Sequence, residues 1–163
     1  MSREIKFRAW DKKAKEYFHI SVLWNSGTNP ECFNFDGWTD NFGNKVRLKD
    51  IAIEQYTGLK DKNGKKIYEG DIVQFHGNSD DLAIVKFGEF GVPEIDTEKY
   101  VDMAIGFYYE PKGSLSNIAP FNMTVPLNKS YANLGEIIGN IHENPELLEA
   151  DKWPRNHTQN ANN

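Results

Sequence analysis

The chain has 163 residues, a net charge of −5 and one cysteine, Cys32, a size that supports one domain with its own core and needs no metal or disulfide to hold it. The lone cysteine excludes an intrachain disulfide and reads as a small buried residue, no apolar run approaches the ~20 residues of a membrane span, and the N-terminus lacks the apolar stretch of a signal peptide, so a cytoplasmic location is expected. Residues 1–66 carry 13 Lys+Arg against 9 Asp+Glu and residues 67–163 carry 6 against 15, an asymmetry that can steer a partner or a neighbouring copy but is too small and dispersed to imply nucleic acid by itself.

In chain order, Ile5, Phe7 and Ala9 alternate with Lys6, Arg8 and Trp10, the period of a half-buried strand. The polar run Asp11-Lys12-Lys13-Ala14-Lys15 then predicts a turn, and residues 4–10 and 16–23 a hairpin with Lys6 and Arg8 on one face and the apolar members on the other. Residues 24–45 are rich in Asn, Gly and Asp, with Trp24, Phe33, Phe35, Trp38 and Phe42 interspersed. This reads as a meander pinned by aromatics that form a local core. Ile51 to Tyr56 predicts a strand ending at Thr57-Gly58.

Asp61-Lys62-Asn63-Gly64 is a strong turn signal, because Asn and Gly tolerate the positive φ of a tight turn. Tyr68-Glu69-Gly70-Asp71 is a second turn. Strands are expected over residues 72–75 and 82–87, joined by the polar loop Asn78-Ser79-Asp80-Asp81. This order is that of SH3-like barrels: a Gly-Asp turn, a strand, a polar loop and a strand. Gly58, Gly64, Gly70 and Asp71 therefore read as structural turn residues, the aspartate satisfying backbone N–H groups. Residues 88–103 are acidic and match no element. Residues 104–110 and 136–142 predict strands. The excursion 111–133, with Pro111, Gly113, Pro120 and Pro126, is long for a compact domain and is expected to pack on a partner or move. Asn144-Pro145-Glu146 predicts the start of a short helix anchored by Leu147 and Leu148, followed by a frayed tail.

The predicted fold is mostly β: a small SH3-like or related barrel over residues 51–142, with the N-terminal hairpin and aromatic loop (1–50) packed on it and a short C-terminal helix. Residues 1–148 form the domain and 149–163 the tail.

Three segments, IKFRAWD (5–11), QYTGLKDKNGKKIYEGDIV (55–73) and EIIGNIHENPELL (136–148), together resemble the YopX family of phage and prophage proteins. Residues 24–45 and 88–133, between them, match no family pattern. The resemblance implies a small protein of phage or prophage origin, working in the bacterial host cytoplasm. It brings no catalytic or cofactor-binding residues with it.

Chemistry-bearing patterns are sparse. His19, His76, His142 and His157 are isolated, so no metal set is assigned. His76 beside Asp80 and Asp81 reads as a strand-end histidine next to a solvated acidic loop. There is no nucleophile elbow and no phosphate-cradling glycine loop. Glu69 and Asp71 read as turn caps rather than an acid/base pair. No catalytic residue, cofactor or metal is assigned. Two readings of function follow. The first is a non-enzymatic accessory protein that binds another phage or host protein or its own copies. The alternative is a nucleic-acid binder in which Arg8, Trp10, Lys12 and Lys13 combine with Lys60, Lys62 and Lys65 in one basic, aromatic patch, provided the two turns lie side by side.

Overall fold

The computed structural model describes residues 4–18, 20, 22–24, 37–39, 43, 45–94, 96, 99–117 and 124–149. The strands are β1 (Phe7–Asp11), β2 (Glu16–Phe18), β3 (Val22–Trp24), β4 (Gly37–Thr39), β5 (Lys45–Arg47), β6 (Ile51–Lys60), β7 (Lys66–Tyr68), β8 (Asp71–Gln74), β9 (Asp81–Glu94), β10 (Lys99–Gly113), β11 (Val125–Pro126) and β12 (Glu136–Asn140). Among the described residues the one α-helical turn is α1 (Lys129–Ala132). The strands form antiparallel sheets ordered β2-β1-β6-β7, β11-β10-β9-β8-β12 and β3-β4-β5. The fold is mostly β, and its curled sheets make a half-barrel.

The main core lies on the five-stranded sheet. Val73, Phe75, Ala83, Val85, Tyr109, Leu115, Val125, Ala132 and Ile137 meet Ile67 there, which β7 brings across from the first sheet. Two buried contacts fasten the sheets at this seam. Asp61 caps its own turn through Asn63 N and Lys65 N at 2.9 and 2.8 Å, and its other oxygen accepts from Ile137 N at 3.0 Å. Gly70 N donates to Val85 O at 2.9 Å, and Gly70 O accepts from Ile141 N at 2.9 Å. Ala9 and Ile51 form a second, smaller core with Phe18, Ile20 and Ile53.

The turns at Gly64 and Gly70 stand where expected, with φ of 83° and 76°, and Asp71 accepts from Tyr68 N at 2.8 Å. Gly58, at φ 91°, ends no strand: it lies inside β6, which runs on to Lys60 through a register shift against β7. Elsewhere the structure corrects the expectations. Ile5 and Phe7 are exposed while Ala9 and Trp10 are both buried, so β1 is covered on both sides near its end and the simple alternation misreads it. The run 16–23 divides into β2 and β3. Residues 88–94 and 99–103 extend β9 and β10 into an antiparallel hairpin of 14- and 15-residue strands, with a register shift between Tyr100 and Asp102. The excursion 111–133 is not free: Leu115, Val125 and Ala132 on its described parts enter the core. The C-terminal helix, Pro145–Leu148, is a 3-10 turn, and the Asn144 side chain does not cap it. Phe33, Phe35 and Phe42, and the tail beyond Glu149, lie outside the described residues. Among the described residues no helix is long and apolar enough to cross a membrane.

Candidate functional site

The densest polar chemistry lies where β1, β6, the Tyr68–Asp71 turn and the turn after β12 converge. Register places Arg8 opposite Glu54 on paired antiparallel strands. The Arg8 guanidinium donates to Glu54 Oε2 at 2.6 Å, to Asp71 Oδ1 at 2.7 Å and to Glu69 O at 3.0 Å. It also sits 4.9 and 4.8 Å from the ring centroids of Tyr17 and Tyr68, within cation–π range. Glu54 and Asp71 are only 4% and 1% exposed, so this one cation neutralises two carboxylates taken out of water.

Glu54 is served from two further sides. Tyr17 donates its hydroxyl to Oε2 at 3.0 Å. His142 Nε2 stands 3.1 Å from Oε1, but the angles do not make a hydrogen bond, and both atoms are buried without a partner. The contact is a proximity of two polar atoms rather than a formed bond. The His142 ring stacks on Trp10 at 5.1 Å and 7°, and Trp10 meets its cross-strand partner Tyr17 edge-on at 5.0 Å. A local device aims His142: Asn140 Oδ1 accepts from His142 N and Glu143 N at 3.0 and 2.9 Å, closing the turn.

Burial sets the protonation of the cluster. It raises Glu54 above the ordinary carboxylate range against the pull of Arg8. It raises Asp71 to about 6, although Arg8 and the Tyr68 amide both pull it down. Burial, with the neighbouring Arg8 charge, lowers His142 and so favours the neutral ring. Burial opposes the charge on Arg8, but Asp71 and Glu54 outweigh it and hold the guanidinium above its usual value.

Beside the cluster lies an open cleft of about 440 Å³, lined by Glu54, Glu69, Gly70 and His142 on its polar side and by Ile84, Ile141 and others on its apolar side. Gly70 belongs there for steric reasons: a Cβ would overlap Glu54 Oε1 and press on Ile141.

The matching family model is that of the YopX protein, over residues 6–149. The chain belongs to the YopX family. No curated protein matches it in sequence. Among solved structures it is similar to the crystal structure of protein EF1440 from Enterococcus faecalis, with 25% identity, a TM-score of 0.56, and coverage of 91% of this chain and 100% of that one.

The three segments that carried the family resemblance are those that meet here: Arg8 and Trp10 from the first, Glu69, Gly70 and Asp71 from the second, Asn140 and His142 from the third. The basic turns fare differently. Asp11 pairs with Ile51 and Lys60 with Lys66, so residues 12–15 and 60–66 stand at opposite ends of β6, roughly 30 Å apart at ~3.3 Å per residue. The structure does not bring them together. Arg8 and Trp10 are committed to the cluster, Lys13 pairs with Asp50 at 3.1 Å, Lys62 pairs with Glu136 at 2.7 Å, and Lys12 donates to Lys49 O at 3.2 Å. Sequence reasoning missed Glu54 and Tyr17. The one available signal was a carboxylate inside the otherwise apolar strand Ile51-Ala52-Ile53-Glu54. Among the described residues no three metal-ligating side chains cluster.

Proposed function

We propose that this chain is a non-enzymatic accessory protein of phage or prophage origin, working in the bacterial cytoplasm by binding protein, first of all a second copy of itself. One observation carries the reading. On the five-stranded sheet, Ala83 pairs with Pro111 and Val85 with Tyr109, and their inward face is buried in the core. The same face runs on past the core as Phe87 opposite Phe107, Glu89 opposite Ile105 and Gly91 opposite Met103. Phe87, Met103 and Ile105 there are 52%, 54% and 76% exposed. A core face that continues apolar beyond its cover marks an interaction surface. A second copy offers the same surface, so a two-fold contact would pair like with like.

The buried carboxylates of Glu54 and Asp71 are engaged by Arg8, which supports a structural use of that charge rather than turnover. Sedimentation velocity across a concentration series tests the reading. The wild-type chain is expected to self-associate and Ile105→Lys to shift the equilibrium to monomer, with thermal stability unchanged. A strictly monomeric wild type that also recovers no partner from bacterial cells would refute it.

A further inference from the structure

The hairpin has a second unusual feature, on its edge rather than its face. Strand β8 pairs with β9 only through Ile72↔Ile84, Val73↔Ala83 and Gln74↔Leu82. The last rung is Gly70 N to Val85 O. Along a strand, alternate residues turn both backbone groups to the same side. The N–H and C=O of Phe87, Glu89 and Gly91 therefore face away from β10, and among the described residues no strand pairs with them. An open edge is a template for an added strand.

That edge begins at the cleft. Val85, Lys86 and Phe87 line it along with Ile84 and Ile141, and Glu54, Glu69, Gly70 and His142 close its polar side. Glu54 is almost wholly buried, and its Oε1 has no hydrogen-bond partner. This atom lies between Gly70 and His142, both of which line the cleft. The Lys86 ammonium pairs with Glu110 on β10, and the single charge of Arg8 is shared between the Glu54 and Asp71 carboxylates, so the cluster holds one carboxylate more than it has cations. The cleft thus combines apolar walls, an unsatisfied carboxylate oxygen and the first free rung of a strand edge.

We propose that the cleft and the edge together receive an extended segment of a partner protein that carries a lysine or arginine. The segment's backbone adds to β9 along Phe87, Glu89 and Gly91. Its aliphatic stem lies against Ile84 and Ile141, and its cationic head donates towards Glu54 and Glu69. This reading rests on the protein-binding role above but uses a different surface, so it is tested apart from self-association.

The experiment is an amide-shift titration of the full chain, carrying Ile105→Lys to keep it monomeric. The probes are blocked five-residue peptides of threonine and valine with a central lysine, arginine or norleucine. The lysine and arginine peptides are expected to shift the Gly70 and His142 amides and to slow hydrogen exchange at Phe87 and Glu89. The norleucine peptide should bind about tenfold more weakly, the loss of one charge-assisted hydrogen bond. Ile141→Lys, at an exposed position on the cleft wall, places a cation of the chain's own there and is expected to abolish peptide binding while the fold survives. Equal binding of the norleucine peptide, no shift at millimolar peptide, or binding that persists in Ile141→Lys would overturn the proposal. If these arms succeed while the wild type proves monomeric, the cleft stands and the self-association reading fails.

Discussion

Replacing Arg8 with methionine keeps the bulk of the side chain and removes its charge. In the wild type, Arg8 bonds Glu54 Oε2, Asp71 Oδ1 and Glu69 O at 2.6, 2.7 and 3.0 Å. The variant leaves two buried carboxylates facing each other with no cation between them. Breaking a buried pair by deleting one partner costs about 3–5 kcal/mol. With a urea slope of ~2 kcal/mol/M, the unfolding midpoint at pH 7.5 should fall by roughly 2 M. The loss should shrink at lower pH. Burial already raises Asp71 to about 6 from 3.8, so the folded state holds a proton that the unfolded chain has released. Stability tied to that proton is complete below pH 3.8 and lost as pH rises through 6. Without Arg8 both carboxylates rise further, and their protonation at pH 5 returns much of the missing stability. Adding Glu54→Gln and Asp71→Asn to Arg8→Met should recover most of it at pH 7.5 as well, because neutral groups need no counter-ion. A midpoint shift corresponding to less than about 1 kcal/mol, the range of a surface ion pair, or a triple variant no more stable than the single one, would refute the view that charge compensation is what Arg8 supplies.

Gly70→Ala is expected to cost more than about 2 kcal/mol, since φ is 76° and the new methyl would overlap Glu54 Oε1, joining backbone strain to a steric clash; urea unfolding measures it, and Gly64→Ala, with open space around it, serves as the milder control. Asp61→Ala removes the acceptor for Asn63 N, Lys65 N and Ile137 N, leaving at least one buried donor unpaired, and should destabilise by about 2–4 kcal/mol with loss of exchange protection at the Ile137 amide. His142→Gln tests the sign of the histidine's coupling. Burial lowers the folded pKa below 6.5, so the stability His142 contributes is present above that value and falls as pH drops through the folded one. The variant should therefore gain on wild type between pH 7.5 and pH 5 in paired urea titrations, and a gap that widens the other way would contradict a buried neutral ring.

The turns were legible because their chemistry is local. Gly58, Gly64 and Gly70 need no tertiary information to mark positive φ, and Asp71 caps a neighbour three residues away. The long hairpin was not legible past Phe87, because burial there is confined to few positions: Phe90 is buried on β9, whereas Tyr100, Val101, Met103 and Ile105 on β10 are exposed. Glycines, Glu89 and Pro93 break the apolar run of β9, while pairing with β10 holds the strand. The excursion 111–133 was misjudged for the opposite reason: single residues, Leu115, Val125 and Ala132, reach the core from short elements with no period of their own. The cluster escaped notice because its members lie far apart in sequence. His142 is unremarkable where it stands and Glu54 shows only as a carboxylate in an apolar strand; the β1–β6 register and the Asn140 turn set them beside Arg8.

The convergence of the three resemblance segments bears on how function divides over the molecule. Arg8, Asp71 and His142 come one from each segment, and Glu54, which joins them, directly precedes the second. The three segments thus meet in one buried constellation and the turns that hold it, within a family match that spans residues 6–149. Charge groups buried this deeply contribute little net stability compared with an apolar replacement, so stability alone does not account for an Arg-Glu-Asp-His arrangement at the mouth of a cleft. It does fix a strand edge, a glycine and an unsatisfied carboxylate oxygen in one place. The apolar face of the hairpin, by contrast, is built from residues 87–107, a stretch largely outside those segments. Recognition of an extended basic segment would then draw on that constellation and on the backbone edge of β9, and self-association on the side chains of the hairpin's apolar face. Ile105→Lys, which puts a charge on that face and leaves the β9 edge intact, should keep the first and lose the second.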